Sequence, residues 1–353
     1  MTFNGDLVRA LSAADRALGE LAGVGRTLPS PRLFTRALLR REAVLSSRIE
    51  GTQATLSDLV LFEIERSDHP DNDDVREVAN YVKAMDYLLV DTHQDARVGL
   101  WALREAHRIL LTGVRGELAD PGRFRDSQNW IGSPGDPVEN ASYVPPPPER
   151  LRDCLDAFDS HLDGPHDLPP LAEIACLHYQ FEAIHPFRDG NGRVGRLLVS
   201  LLLVRWGLLP GPMLDFSAYI ERRRQDYYTR LLMVSTRGDW ENWIAFFLEV
   251  VAAQAKDVLR RANRLQELRE RYRAKVTGVR SSSLLPKLVD ALFETPALTI
   301  GTVQEVLGVT HRAATVNVEK LVEEGMVVEL ARSSRVRRFL ADEIIAVVNG
   351  TKR

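Results

Sequence analysis

The chain has 353 residues, 44% of them hydrophobic and 27% charged, with a formal net charge of −3. That balance belongs to a globular protein with room for two or three domains. It gives no general attraction to nucleic acid or to a membrane surface. No apolar run approaches the length of a bilayer span, so no membrane partner is expected. The first residues lack a secretory pattern. Cys154 and Cys176 are too few for a disulfide framework and are not spaced for zinc. A reducing cytoplasm is therefore the expected compartment, with both cysteines acting as small buried hydrophobes.

Residues 1–95 read as helices. One runs over 30–50, with Ser30 as N-cap and Pro31 at the first position. Leu33, Ala37, Leu38, Val44, Leu45 and Ile49 form its apolar side. At its end, Ser46 and Glu50 are four apart and share a face, and Gly51 stands where a helix C-terminal glycine belongs. A second helix covers 75–89, where Val75, Val78, Val82, Met85 and Leu89 recur at helical spacing.

Residues 96–250 form the expected core, with helical patterns over 100–111 and 171–184. Between them, 123–148 is punctuated by Gly and Pro and is not helical. It holds Trp130-Ile131-Gly132-Ser133, then Ala141-Ser142-Tyr143-Val144 and four prolines, Pro145 to Pro148. Short β-forming runs around a turn predict a hairpin there.

The run from His185 to Arg196 carries the chemistry. Gly190 and Gly192 allow close backbone approach, and N–H groups at the start of the following helix can cradle an anion. Asp189 offers the hard oxygens that Mg²⁺ prefers. Arg193 and Arg196 are three apart and can grip phosphate with planar forks. Asn191 either donates to a phosphate or braces the loop. His185, with an ordinary pKa near ~6.5, is the natural general base. Phe187 anchors the loop in the core.

This order matches H-x-F-x-[DE]-G-N-G-R-x-x-R at every fixed position, so the chain resembles Fic-domain enzymes. Most of these transfer AMP from ATP to a protein hydroxyl. The resemblance implies a mainly α fold, a helical Fic core with a short β-hairpin flap. It implies that His185 deprotonates the target Ser, Thr or Tyr. It further implies Asp189 as the Mg²⁺ ligand, and Gly190, Asn191, Gly192, Arg193, Gly195 and Arg196 as the ATP-phosphate site. Ser46 to Gly51 fits the family's inhibitory pattern [ST]-x-x-x-E-[GN]. Glu50 would then pair with Arg196 where the γ-phosphate must lie, and transfer would be weak. Some relatives use the same glutamate to orient a water that removes AMP. The 123–148 segment resembles the family's flap, with the backbone of Ser142, Tyr143 and Val144 registering the target.

Residues 197–206 are apolar all round, as in a buried helix. Further on, Tyr228 is the aromatic assigned to the adenine, from its distance after the motif in similar proteins. The run Glu221 to Arg224 reads as a solvated face. A basic helical connector follows over 251–280.

Residues 281–353 show a helix over 284–293, then Leu298-Thr299-Ile300 and 302–307, a turn at Gly308 before 310–324, and two short strands: a helix-turn-helix followed by two strands. That order resembles a winged helix-turn-helix, with Thr310, His311, Arg312, Thr315 and Asn317 facing outward. Arg332, Arg335, Arg337 and Arg338 would cluster in the wing. From Ser281 onward nine Lys/Arg face nine Asp/Glu, whereas DNA binders usually carry a positive excess. Docking or homodimer formation is therefore favoured over DNA binding. The reading as a whole is a protein adenylyltransferase restrained by Glu50. The alternatives are a DNA-binding regulator with a nucleotide-sensing core, or a Fic enzyme using another donor.

Overall fold

The computed structural model describes residues 2–27, 31–65, 72–91, 98–132, 137–164, 167–277, 284–331 and 336–351. In chain order the N-terminal part gives α1 (Gly5–Thr27), α2 (Pro31–Ile49), α3 (Leu56–Glu65) and α4 (Asp73–Asp91). The core gives α5 (Leu100–Leu111), α6 (Pro148–Asp159), α7 (Pro170–Ile184), α8 (Asn191–Arg205), α9 (Phe216–Arg222) and α10 (Arg224–Arg237). A long helix, α11 (Trp240–Thr277), leads to α12 (Leu284–Glu294), β1 (Ala297–Thr299), α13 (Ile300–Leu307) and α14 (His311–Glu323). The chain closes with β2 (Val328–Glu329), β3 (Arg338–Leu340) and α15 (Asp342–Asn349). The fold is mainly helical, as expected.

Helix α8 is the centre of the core. From Val194 to Leu203 every residue is buried, which is why the sequence there is apolar on all sides. It packs on α7, α5, α4 and α2. Trp243, Phe247 and Val251 of α11 are fully buried, and the Trp243 indole donates to the Ala175 carbonyl at 2.8 Å. The second half of α11 is the segment expected as a connector. It continues the same helix without a break and carries α12 and α15 on its flank.

Helix α2 is held from several sides. Arg36 pairs with Asp86 of α4, and the buried Arg41 pairs with the buried Asp215 ahead of α9. Glu42 accepts from the Ser217 backbone at 2.9 Å and from its hydroxyl at 2.5 Å. Arg40 pairs with Glu63 of α3 and donates to the Glu294 carbonyl at the end of α12. After Ile49 the chain turns at Gly51 (φ 106°), with Gly51 N–H on the Arg48 carbonyl and Thr52 N–H on the Ser47 carbonyl. Ser30, the expected N-cap, lies outside the described residues.

Of the hairpin expected over 123–148, the described residues show one antiparallel bridge, Ile131 to Tyr143. Four successive prolines cannot donate to a ladder, and a 3₁₀ turn at 138–140 takes up the intervening chain. Residues 133–136, including Ser133, lie outside the described residues.

The C-terminal strands form an antiparallel sheet in the order β1-β3-β2, with Leu298 opposite Phe339 and Glu329 opposite Phe339. Helices α13 and α14 pack on each other. Thr310 caps α14, and His311, Arg312 and Val316 are exposed along it. Asn317, expected outward, is instead buried and donates to the Ala313 carbonyl at 2.8 Å. Arg337 pairs with Glu329 at 2.8 Å, and Arg338 pairs with Glu65 of α3 at 2.7 Å. Arg332 and Arg335 lie outside the described residues.

Candidate active site

The loop between α7 and α8 is built by backbone bonds before its side chains do any chemistry. His185 ends α7 in the left-handed region (φ 49°) and Gly190 enters α8 there too (φ 77°). A non-glycine residue rarely holds that conformation without support. Support comes from outside the motif. Arg125, buried, donates from Nε to the His185 carbonyl at 2.9 Å and from Nη2 to the Ile184 and Pro146 carbonyls. Asn129 donates to the Phe187 carbonyl at 3.0 Å.

Asn191 braces the loop from within. Its Oδ1 accepts from Phe187 N–H at 2.9 Å and its Nδ2 donates to the Phe187 carbonyl at 2.8 Å. Phe187 is fully buried, with its ring stacked on His107 at 3.8 Å. His107 accepts from Gly122 N–H at Nδ1. Its Nε2 therefore carries the proton and donates to the Asp189 carbonyl at 2.9 Å. Burial pushes His107 down to about 4, so the ring stays neutral and fixed in that tautomer.

Around one cavity of about 580 Å³ stand Glu50, Ser142, Tyr143, Glu182, His185, Gly192, Arg196 and Tyr228. At His185, Nδ1 meets the Glu182 carbonyl at 3.2 Å. A carbonyl only accepts, so Nδ1 bears the proton and Nε2 keeps its lone pair. Burial pushes the pKa of His185 down to about 4. At neutral pH it is therefore a proton acceptor.

Arg196 is 1% exposed. Its Nε donates to the Ser46 hydroxyl at 2.8 Å, and its Nη2 donates to the Ser46 carbonyl at 3.0 Å and the Glu50 carboxylate at 2.7 Å. Burial opposes ionisation of Glu50, but Arg196 outweighs it and holds the carboxyl below its ordinary range. Gly192 makes room for this pair. A Cβ there would lie 2.6 Å from Glu50 Oε1 and 3.0 Å from Arg196 Nη1, so only glycine lets the carboxylate approach α8 so closely.

The other motif residues stand apart from the cavity wall. Arg193 is buried and pairs with the buried Glu77 at 3.0 Å. Asp189 is half-exposed, its Oδ1 accepts from Gly190 N–H at 2.7 Å, and its Oδ2 lies 3.9 Å from Arg193. The Glu182 carboxyl packs against the backbone of Gly195. Val144 is exposed beyond the bridge. Among the described residues no cluster of three or more His, Cys, Asp or Glu could hold a metal by itself.

Several contributors escaped sequence reasoning. Glu182 lines the cavity, burial pushes it up to about 7, and its Oε1 finds no hydrogen-bond partner among the described residues. Its place three residues before His185 was a usable signal. His107, Arg125 and Glu77 gave none, because each meets the motif only through the fold.

Two family models match the chain: the Fic/DOC family N-terminal region over residues 8–89 and the Fic/DOC family over 98–203. The protein adenylyltransferase Fic of Drosophila virilis is 30% identical over 205 residues, which are 57% of this chain and 39% of that protein. Its namesake from Drosophila persimilis is 26% identical over 245 residues, 68% of this chain and 45% of that one. The chain thus spans less than half the length of these curated relatives. Among solved structures, a Fic family protein from Desulfovibrio desulfuricans G20 matches 96% of this chain and 97% of its own, with TM-score 0.61 and 21% identity. A Fic domain containing signaling protein from Bacteroides thetaiotaomicron matches 70% of this chain and 95% of its own, with TM-score 0.55 and 20% identity. With both models covering more than half of its residues, and the motif loop folded between α7 and α8, the chain belongs to the Fic/DOC family.

Proposed function

We propose that the protein transfers AMP from ATP to a hydroxyl side chain of a target protein, and that Glu50 restrains this activity. The observation that carries the reading is the meeting of His185, Arg196 and Glu50 on one cavity. The triphosphate lies along the start of α8, where backbone N–H groups and the motif arginines complement its charge. Asp189 would hold the Mg²⁺ that such chemistry uses, because this ion prefers hard oxygen ligands and needs as few as one carboxylate beside a nucleotide. A half-exposed carboxylate with one oxygen outside the loop's own hydrogen bonds suits that role. Bound there, Mg²⁺ supplies charge neutralisation of the phosphates.

The target hydroxyl enters beside the flap. His185 Nε2 takes its proton as the oxygen attacks the α-phosphorus, and the bond to the bridging oxygen breaks to release pyrophosphate. Tyr228 stands at the cavity for the adenine. With Glu50 on Arg196, the γ-phosphate loses its guanidinium and the α-phosphorus is set out of line. Such reactions depend mainly on positioning and charge stabilisation, so a small displacement costs much rate. Intact-mass analysis of the protein incubated with ATP and Mg²⁺ tests the reading. On the Glu50→Gly variant, where the restraint is removed, an adduct of AMP mass supports it, and an adduct of another mass or none sinks it.

For the C-terminal module we propose a winged helix that contacts protein rather than DNA. Arg337 and Arg338 are already engaged by Glu329 and Glu65, so two of the expected phosphate contacts are committed elsewhere. A gel-shift assay on random duplex DNA at low salt checks this, with no retardation as the expected result.

A further inference from the structure

A second cleft of about 710 Å³ begins where the reaction cavity ends. Tyr143, Tyr179 and Ala183 line both, and the Tyr143 hydroxyl is tied to the Ala183 carbonyl at 2.9 Å. From that shared wall the cleft follows one face of α7, past Ile184, Gln180, Leu177 and Cys176 to Glu173. These positions recur at helical spacing. Cys154, Ala157 and Phe158 of α6 form the opposite wall. The walls are therefore largely apolar, while the far end carries Asp167 and the buried Glu173. No lysine or arginine lines the cleft among the described residues.

We propose that this cleft seats the stretch of target protein beside the modified hydroxyl and selects a lysine or arginine in it. The inference rests on the transfer reading above and adds the substrate class to it. Apolar walls ending on carboxylates complement an aliphatic stem with a cationic tip. The length sets the spacing. Eleven helical steps lead from Glu173 to Ile184, roughly 16 Å at 1.5 Å each. An extended peptide rising about 3.3 Å per residue covers that in about five residues. The preferred basic residue thus lies about five positions from the hydroxyl.

The test uses the full chain and labelled peptides with a central serine or tyrosine in a Gly/Ala background. A single arginine is walked outward one position at a time on either side. Fluorescence anisotropy is expected to show binding about tenfold tighter with arginine near the fifth position than with glutamine there. That gain disappears in Asp167→Asn and Glu173→Gln. Asp167 is exposed, so Asp167→Lys keeps the test open should the buried Glu173 variant fail to fold, and it turns the preference toward glutamate peptides. Affinity indifferent to the arginine's position, or a preference surviving these changes, overturns the proposal. Peptides that bind as described but never acquire AMP, on a Glu50→Gly variant that also fails to modify itself, leave the cleft standing and remove the transfer reading instead.

Discussion

Arg196 and Glu50 are separated by 146 positions in the chain and by 2.7 Å in the fold. Arg196 is almost fully buried, whereas the Glu50 side chain keeps about a third of its surface. The carboxylate is thus the partner that can leave. The guanidinium would remain, held by both oxygens of Ser46.

Replacing Glu50 with glycine is therefore expected to raise AMP incorporation severalfold or more, because it frees the guanidinium for phosphate without disturbing its Ser46 anchor. Self-modification with radiolabelled ATP measures this. Equal labelling of variant and wild type would remove Glu50 as the restraint.

His185→Ala is expected to lower transfer by ~10²–10⁴ while leaving ATP affinity close to that of the parent. Calorimetric titration with ATP separates the two effects. Retained turnover would exclude the imidazole as base.

The pH profile of the Glu50→Gly variant tests the same imidazole. With its pKa pushed down to about 4, His185 stays unprotonated through the mildly acidic range. Transfer is expected to hold from neutral pH to about pH 5 and then to fall. An acid limb near the ordinary value of about 6.5 would mean that the ring is solvated.

Stability should peak near about pH 6.5. Burial places His107 and His185 at about 4 and His178 at about 3 in the folded chain. Their contribution is complete above the ordinary histidine value and is lost as pH falls from there. Glu182 and Glu42 are pushed up to about 7 and about 8. Their contribution is present below the ordinary carboxylate range and is lost as pH rises through those values. Thermal unfolding across pH 4.5 to 8.5 reads both slopes, and a midpoint that climbs steadily to the alkaline end contradicts the assignment.

Phe187→Ala should cost about 3–5 kcal/mol, the range for a deleted aromatic core side chain. It should also impair the loop, since the ring is the surface on which His107 rests. Denaturant unfolding measures the first effect, and transfer by the surviving folded fraction measures the second.

Much of this site was legible in the sequence because the motif is contiguous. Twelve residues set the turn, the histidine and the arginines, and flanking periodicity placed α7 and α8 nearly to the residue. The pairing of Glu50 with Arg196 was accessible only through family resemblance, since nothing local links helices so far apart. Of the expected hairpin flap, the described residues show the two arms meeting in an antiparallel bridge, Ile131 to Tyr143, and the prolines that follow at 145–148 cannot extend a ladder. Asn317 was read outward from helical spacing alone. Its side chain instead turns back onto its own helix at Ala313, an alternative open to any asparagine. His107, Arg125 and Glu77 were invisible for a different reason. Each shapes the loop by bonds delivered across the fold, and such bonds leave no pattern along the chain.

Helix α2 carries Arg40 near its middle and delivers Glu50 at its end. Two to three turns of unbroken helix lie between them, a distance of about 15 Å. Arg40 is moored to the last residue of α12, so that mooring and the Glu50 carboxylate ride on one stiff rod. Tugging the C-terminal module would tilt that rod, and the carboxylate at its tip would travel with it.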